Sequence, residues 1–416
     1  MPQGCIALGP MVRTADFGGP QSLLNKGVRD DITGSRTSCV RLWVSWNAHQ
    51  KDKPPAGTSV AEQWRQISET PFAKDLDAQV AQGKAMGLTV ILTSLSFPTW
   101  TNGTSTVPQK GPGYDPNLAY FPEDRFPSEA AMRAYKAGSG NDPKGLTLKW
   151  PYETGLGANS PWGTWMAYLN LRYGSLASPS RRVDFLEPIN EPNYMLWPQD
   201  LASATGNKFD TNSEIVACIS AQMFQTAQVA QRYWSGPVML LPATADTELS
   251  DTRYHTKQST YEAHLLTNLN SNGFIPDARV GWSVHNYADS KDGSEGSATH
   301  LTRTVLQVRS FAGGYWQGWP PGTAAAAQVC VTEGGWVRPD GTGSSAAADQ
   351  EQATRMQGTM VAAAAVPGVA MLTQYLIRTD SNYDCGMRTL GGAARPVLQR
   401  WSDLHTGTGT VPRVLA

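Results

Sequence analysis

Two glutamates carry the first chemical suggestion in this chain. Glu191 stands in the stretch EPINEPNY, directly after an apolar run, and Glu333 stands in CVTEGGW, after another. Between them lies His285-Asn286-Tyr287, again at the end of an apolar run, and far upstream Arg41 sits inside CVRLWVSW. A charged group just past an apolar strand is costly to bury unless it is paired or used. Two carboxylates facing one pocket can divide the labour of bond cleavage. One stays protonated and donates to a leaving oxygen, while the other stays ionised and attacks carbon.

The elements that must position these groups are legible as alternating runs. Eight short segments rich in Val, Ile and Leu read as strands buried on both faces: Cys5–Leu8, Cys39–Val44, Thr89–Thr93, Phe185–Ile189, Val238–Leu241, Val280–Val284, Gln328–Thr332 and Ala370–Leu376. Helical patterns separate the later ones: Asp75–Met86, Pro161–Tyr173, Ser213–Tyr233, Tyr261–Leu269, Leu301–Phe311, Gln350–Ala365 and Pro396–Leu404. Strand–helix repetition of this kind predicts an α/β fold, a closed (β/α)₈ TIM barrel over residues 1–416 as one catalytic domain. No glycine-rich nucleotide motif follows the first strand. The Gly-, Pro-, Tyr- and Trp-rich segment Thr101–Ser160 interrupts the repeat after the third strand. A segment that long reads as a lid or wall over the C-terminal face, which favours action at chain ends. Ser290–Thr299 and Gly341–Ala348 read as shorter loops on that face.

Composition narrows the function classes. The net charge is −1, with no basic stripe, so nucleic acid is not an expected partner. No apolar run approaches the length of a membrane span, so no membrane partner is expected either. The five cysteines form no CxxC pair and are odd in number, so neither a disulfide framework nor a zinc site is expected. Cys39, Cys218 and Cys330 read as small core residues. MPQGCIALGP has no charged segment leading into a long apolar one, and the expected location is cytoplasmic.

In a (β/α)₈ barrel the chemistry gathers where strands end. Arg41, Trp43 and Trp46 then mark strand two, Trp100 strand three, Asn190 and Glu191 strand four, His285 and Tyr287 strand six, Glu333 and Trp336 strand seven, and Tyr375 strand eight. Two carboxylates roughly 5 Å apart are what retaining glycoside hydrolysis needs. Large aromatics are core residues by default, but a chain with 14 Trp can spare some to stack on sugar rings. Glu187, four residues before Glu191, reads as a buried ion-pair partner.

With these residues in place, the chain resembles the clan A retaining glycoside hydrolases, and is most similar to families 39 and 5. WMAYLNLRYG looks like the helix before their acid/base strand, and RPVLQRW like their last helix, so the resemblance spans nearly the whole chain. It implies Glu191 as acid/base and Glu333 as nucleophile. It implies Asn190 on the sugar 2-hydroxyl, Arg41 and Tyr287 on Glu333, and His285 beside the adjoining subsite. Phe97-Pro98-Thr99-Trp100 replaces a His common in such families, and Tyr375 stands where a Trp is common. The implied reaction is double displacement through a covalent glycosyl-enzyme, on a β-D- or α-L-linked sugar, with an oligosaccharide, polysaccharide or simple glycoside as partner. The charge of Glu333 would raise the pKa of Glu191 until the ester forms. No cofactor and no metal are implied. The alternatives are a transglycosylase using the same residues and a catalytically silent carbohydrate-binding barrel. A metal-dependent barrel enzyme is disfavoured by the lack of clustered His and Asp at strand ends.

Overall fold

The computed structural model describes residues 2–10, 14–95, 97–102, 157–193, 209–246, 257–274, 277–291, 296–315, 329–338, 345–379 and 384–405. Eight parallel strands close into a barrel in sequence order. They are β1 Gln3–Ala7, β2 Cys39–Ser45, β3 Thr89–Leu95, β4 Phe185–Glu187, β5 Val238–Thr244, β6 Val280–Asn286, β7 Val329–Gly334 and β8 Val369–Tyr375. The expected (β/α)₈ architecture is therefore present, with each expected strand found to within a few residues. Most of the lid-like insertion, residues 103–156, lies outside the described residues, as do parts of the loops at 290–299 and 341–348. Among the described residues no helix is long and apolar enough to cross a membrane.

The helices begin where local chemistry says they should. Ser160 accepts from Gly163 N ahead of Pro161–Tyr173, and Thr70 accepts from Ala73 N ahead of Pro71–Ala85. In both, proline fills the first helical position, where its missing N–H costs nothing. Among the described residues, the helices not expected from the sequence include Lys26–Gly34 and Val60–Glu69. Each is short and buries few residues, Val28, Asp31 and Ile32 in one and Ile67 in the other.

The barrel interior is layered. Cys5, Cys39, Ile91, Phe185, Leu240, Cys330 and Met371 form an apolar plug. Strand side chains alternate faces, so residues two positions further along point inward one layer higher. Arg41, Thr93, Glu187 and Thr332 occupy those positions, all fully buried. The polar machinery thus rests on a greasy floor. Cys5 and Cys39 are register partners on β1 and β2 and are joined as a disulfide, which corrects the expectation of no bridge. Parallel pairing of the neighbouring strands β1 and β2 brings them together, and spacing along the chain could not reveal it.

A second apolar shell lies between the barrel and its helices. Trp46 belongs there. Its ring stacks on Trp165 at 5.7 Å, and its indole N–H donates to Gln50 Oε1 at 2.9 Å. Trp100 packs edge-on against Trp46 at 6.2 Å and donates to Gln50 O. Both were expected at the sugar-binding mouth, and both instead build the wall between β2, β3 and the Pro161–Tyr173 helix. The next residue of a strand points to the other face, and β2 runs on into a short helix at Trp46, so Trp46 turns outward while Arg41 and Trp43 turn inward.

Candidate active site

Arg41 is the hub of the barrel mouth. Its Nε donates to Glu187 Oε2 at 2.7 Å, its Nη1 to Glu333 Oε1 at 2.5 Å, and its Nη2 to Asn190 Oδ1 at 2.8 Å. The guanidinium also lies 4.3 Å from the centroid of Trp43. Burial alone would strip its charge, but Glu187 and Glu333 outweigh that and hold its pKa above the ordinary value. Glu187 lies two residues after Phe185 of the plug, and it also accepts from Thr93 Oγ1 at 2.6 Å. Burial pushes its pKa up, but Arg41, His285 and the hydroxyl donors win, and the carboxyl sits below its ordinary value. Its expected role as an ion-pair partner is borne out.

Glu333 ends β7. Tyr287 Oη donates to its Oε2 at 2.7 Å, opposite the oxygen taken by Arg41. Burial pushes its pKa above the ordinary value, and the charge of Glu191 adds to that. His285, Arg41 and the Tyr287 hydroxyl pull the other way. Tyr287 is itself held by its backbone, whose N–H donates to Asp246 Oδ2 at 2.6 Å, just past β5.

Glu191 projects from the loop after β4. Pro188 lacks the N–H that would continue the ladder, so β4 stops at Glu187 rather than Ile189. Glu191 then turns through the left-handed region, at φ +43°. Its side chain keeps 14% of its surface exposed, against 7% for Glu333.

His285 stands between the two carboxylates. Its Nδ1 is 2.7 Å from Glu191 Oε1 and 3.7 Å from Glu333 Oε2. Its Nε2 faces Arg41 Nη2 at 3.5 Å. A guanidinium offers only donors, so Nε2 carries the lone pair and the ring proton is assigned to Nδ1. Burial is the main cause that pushes the imidazole pKa down, so the ring is neutral near pH 7. A neutral Nδ1–H thus donates to Glu191.

One donor atom each of Glu191, His285 and Glu333 lies within 4.8 Å of the others. That set could hold a metal ion, but the Arg41 cation already sits against Glu333 and His285 and opposes a second positive charge there. The same spacing matches the close carboxylate pair of a retaining site.

The structure therefore gathers Arg41, Asn190, Glu191, His285, Tyr287 and Glu333 into one cluster. Tyr375 joins at the rim, half-buried, with its ring edge-on to Tyr287 at 6.3 Å. Trp336 is buried with the Arg355 guanidinium 5.1 Å from its ring, so one face is already taken. Residues that sequence reasoning passed over include Thr93, Asp246 and Asn193. Only Asn193 had a visible pointer, since it follows Glu191 within EPINEPNY.

No family model matches the chain, and no curated protein does either. Among solved structures, ZgEngAGH5_4 in complex with a cellotriose is similar to it with a TM-score of 0.50 and 14% identity, over 98% of this chain and 96% of that one. A family 39 glycoside hydrolase from the gut symbiont Bacteroides cellulosilyticus WH2 is similar with a TM-score of 0.52 and 12% identity, over 97% of this chain and 63% of that one. At these identities the shared property is the fold, so the protein is a (β/α)₈ barrel of the architecture these glycoside hydrolases use.

Proposed function

We propose that this protein is a retaining glycosidase, with Glu333 as nucleophile and Glu191 as acid/base. One observation carries the reading: two carboxylates at the barrel mouth, with one oxygen of each within 4.8 Å of the other, in unequal surroundings. Glu333 has Arg41 on one oxygen and Tyr287 on the other, which fixes its orientation and favours its ionised form. Glu191 is more exposed and bonded to a neutral imidazole, which suits a group that must gain and lose a proton.

In the first step Glu333 attacks the anomeric carbon while Glu191 gives its proton to the departing oxygen. Two carboxylates this close resist ionising together, which helps Glu191 keep that proton. Ester formation removes the charge of Glu333, and Glu191 can then act as base toward water. Arg41 occupies the side-chain oxygen of Asn190, which leaves the Asn190 amide NH₂ as the group to meet a sugar hydroxyl. Tyr375 offers a ring at the rim. The substrate class that suits this site is an oligosaccharide or glycoside, and the preference for chain ends remains part of the proposal.

The test is a panel of aryl glycosides, β-D and α-L, pyranose and furanose, assayed with wild type, Glu333→Ala and Glu191→Ala, with and without azide. The expected result is one sugar cleaved by wild type. Azide should rescue Glu333→Ala to a glycosyl azide of inverted configuration and Glu191→Ala to one of retained configuration. Azide products of the same configuration from both variants would overturn the assignment of roles. Glycan binding with no cleavage by wild type would replace it with a silent carbohydrate-binding barrel.

A further inference from the structure

We propose that Asn193 is a positioning residue for Glu191, acting as a clasp between the loop after β4 and the end of β5. The inference rests on the acid/base reading of Glu191. The loop that carries Glu191 has little regular support. β4 is paired over only Phe185–Glu187, and its register with β5 covers just Phe185 with Val238 and Leu186 with Met239. Beyond that point, proline at 188 and again at 192 removes two backbone donors.

What replaces the ladder is specific. Asn190 N donates to Ser94 O at 3.1 Å, and Glu191 N donates to Ala243 O at 3.0 Å. Two residues further on, Asn193 takes over with its side chain. Ala245 N donates to Asn193 Oδ1 at 2.9 Å, and Asn193 Nδ2 donates to Ala245 O at 2.9 Å. A side-chain amide offers the same donor and acceptor as a peptide group, so Asn193 extends the β4–β5 pairing where the backbone has stopped. The side chain is fully buried, so water cannot take its place.

Backbone strain says what the clasp holds. Glu191 and Ala243, which are bonded to each other, both lie in the left-handed region, at φ +43° and +54°. Ala243 is the irregular residue where the β5–β6 register shifts between Pro242 and Thr244. A residue with a side chain stays in that region only when its surroundings insist on it. The Glu191–Ala243 bond joins the two strained residues, and the Asn193–Ala245 pair fastens both segments two residues further on. Without the second, Glu191 can relax, and its carboxyl leaves His285 and the point facing Glu333.

A misplaced acid has a distinctive kinetic signature, because a good leaving group departs without its help. The experiment compares kcat/KM for a phenyl and a dinitrophenyl glycoside in wild type, Asn193→Ala and Asn193→Asp. Asn193→Ala should lose on the order of 10²-fold on the phenyl glycoside and less than about 3-fold on the dinitrophenyl one. Asn193→Asp keeps the acceptor for Ala245 N but turns an oxygen toward Ala245 O, so it should show the same split between the two substrates, and it carries the test if the alanine variant does not fold. Equal losses on both substrates would overturn the proposal. Hydrogen exchange of the same variants reads the clasp without substrate: amides of Glu191 and Ala245 should lose more protection than those of the barrel strands. Unchanged protection at Glu191 also overturns it. If wild type cleaves neither glycoside, the glycosidase reading fails, and the exchange measurement alone decides the clasp.

Discussion

The hydroxyl of Tyr287 lies 2.7 Å from Oε2 of Glu333 and donates to it. That bond stabilises the charged carboxylate, and so pulls down a pKa that burial has pushed above its ordinary value. With Glu333 as the proposed nucleophile, it must be ionised to act, so activity should fall as pH drops through that pKa. Tyr287→Phe removes the donor and lets the pKa rise. The acid limb of kcat/KM should move to higher pH, and the plateau should fall by roughly 10-fold or more, the value of a hydrogen bond to a charged group. A pH–rate profile of the variant checks this, and an acid limb that moves down or stays put contradicts it. The limb reports the pair of carboxylates as a unit.

Arg41 is fully buried between Glu187 and Glu333. Arg41→Met leaves Glu187 in the barrel with no counter-charge, and should cost about 3–5 kcal/mol by chemical denaturation. Removing both charges, as Arg41→Met with Glu187→Met, should recover a large part of that loss while leaving the enzyme inactive. A double variant no more stable than the single one would show that the pair is not coupled.

His49 gives a pH dependence of stability. Its Nδ1 donates to Ser45 O at 2.7 Å, and its ring packs against Trp165 at 5.7 Å. Burial is the main cause that lowers its pKa from 6.5 to about 4. Below pH 6.5 the unfolded imidazole takes a proton that the folded one refuses until about pH 4. The stabilising contribution is therefore whole above the unfolded pKa and is lost as pH falls through the window. One such group gives a slope of about 1.4 kcal/mol per pH unit. In His49→Phe the slope of unfolding free energy between pH 4 and 6.5 should flatten by up to that amount, and an unchanged slope refutes the assignment.

Trp46 and Tyr375 should separate stability from recognition. Trp46→Ala opens the aromatic wall around Trp165 and should cost about 3–5 kcal/mol. Tyr375→Ala, at the half-buried rim, should leave stability within about 1 kcal/mol and raise KM several-fold. Thermal melts and steady-state kinetics on the two variants check this. A raised KM in Trp46→Ala with unchanged stability would return Trp46 to the mouth.

Much of this protein was readable from its chain because the relevant information is local. Buried parallel strands are short continuous apolar runs, and eight of them with helices between admit few topologies. A carboxylate at the end of such a run has to face the barrel mouth, so Glu191, Glu333, His285 and Tyr287 could be named without coordinates. The helix expected over Pro161–Tyr173 is likewise present with those bounds.

The remainder depends on which residues become neighbours across the closed barrel, and no local pattern encodes that. Cys5 meets Cys39, and Arg41 meets Glu187, only because of strand pairing and layer height. Trp46 and Trp43 differ by a few positions, yet one enters the outer wall and the other lies beside Arg41. The two-fold alternation of a strand had to be combined with the point where β2 becomes helix to tell them apart. Asn193 is the extreme case: its partner lies beyond the next strand's end, and its hydrogen bonds replace a ladder that two prolines had made impossible.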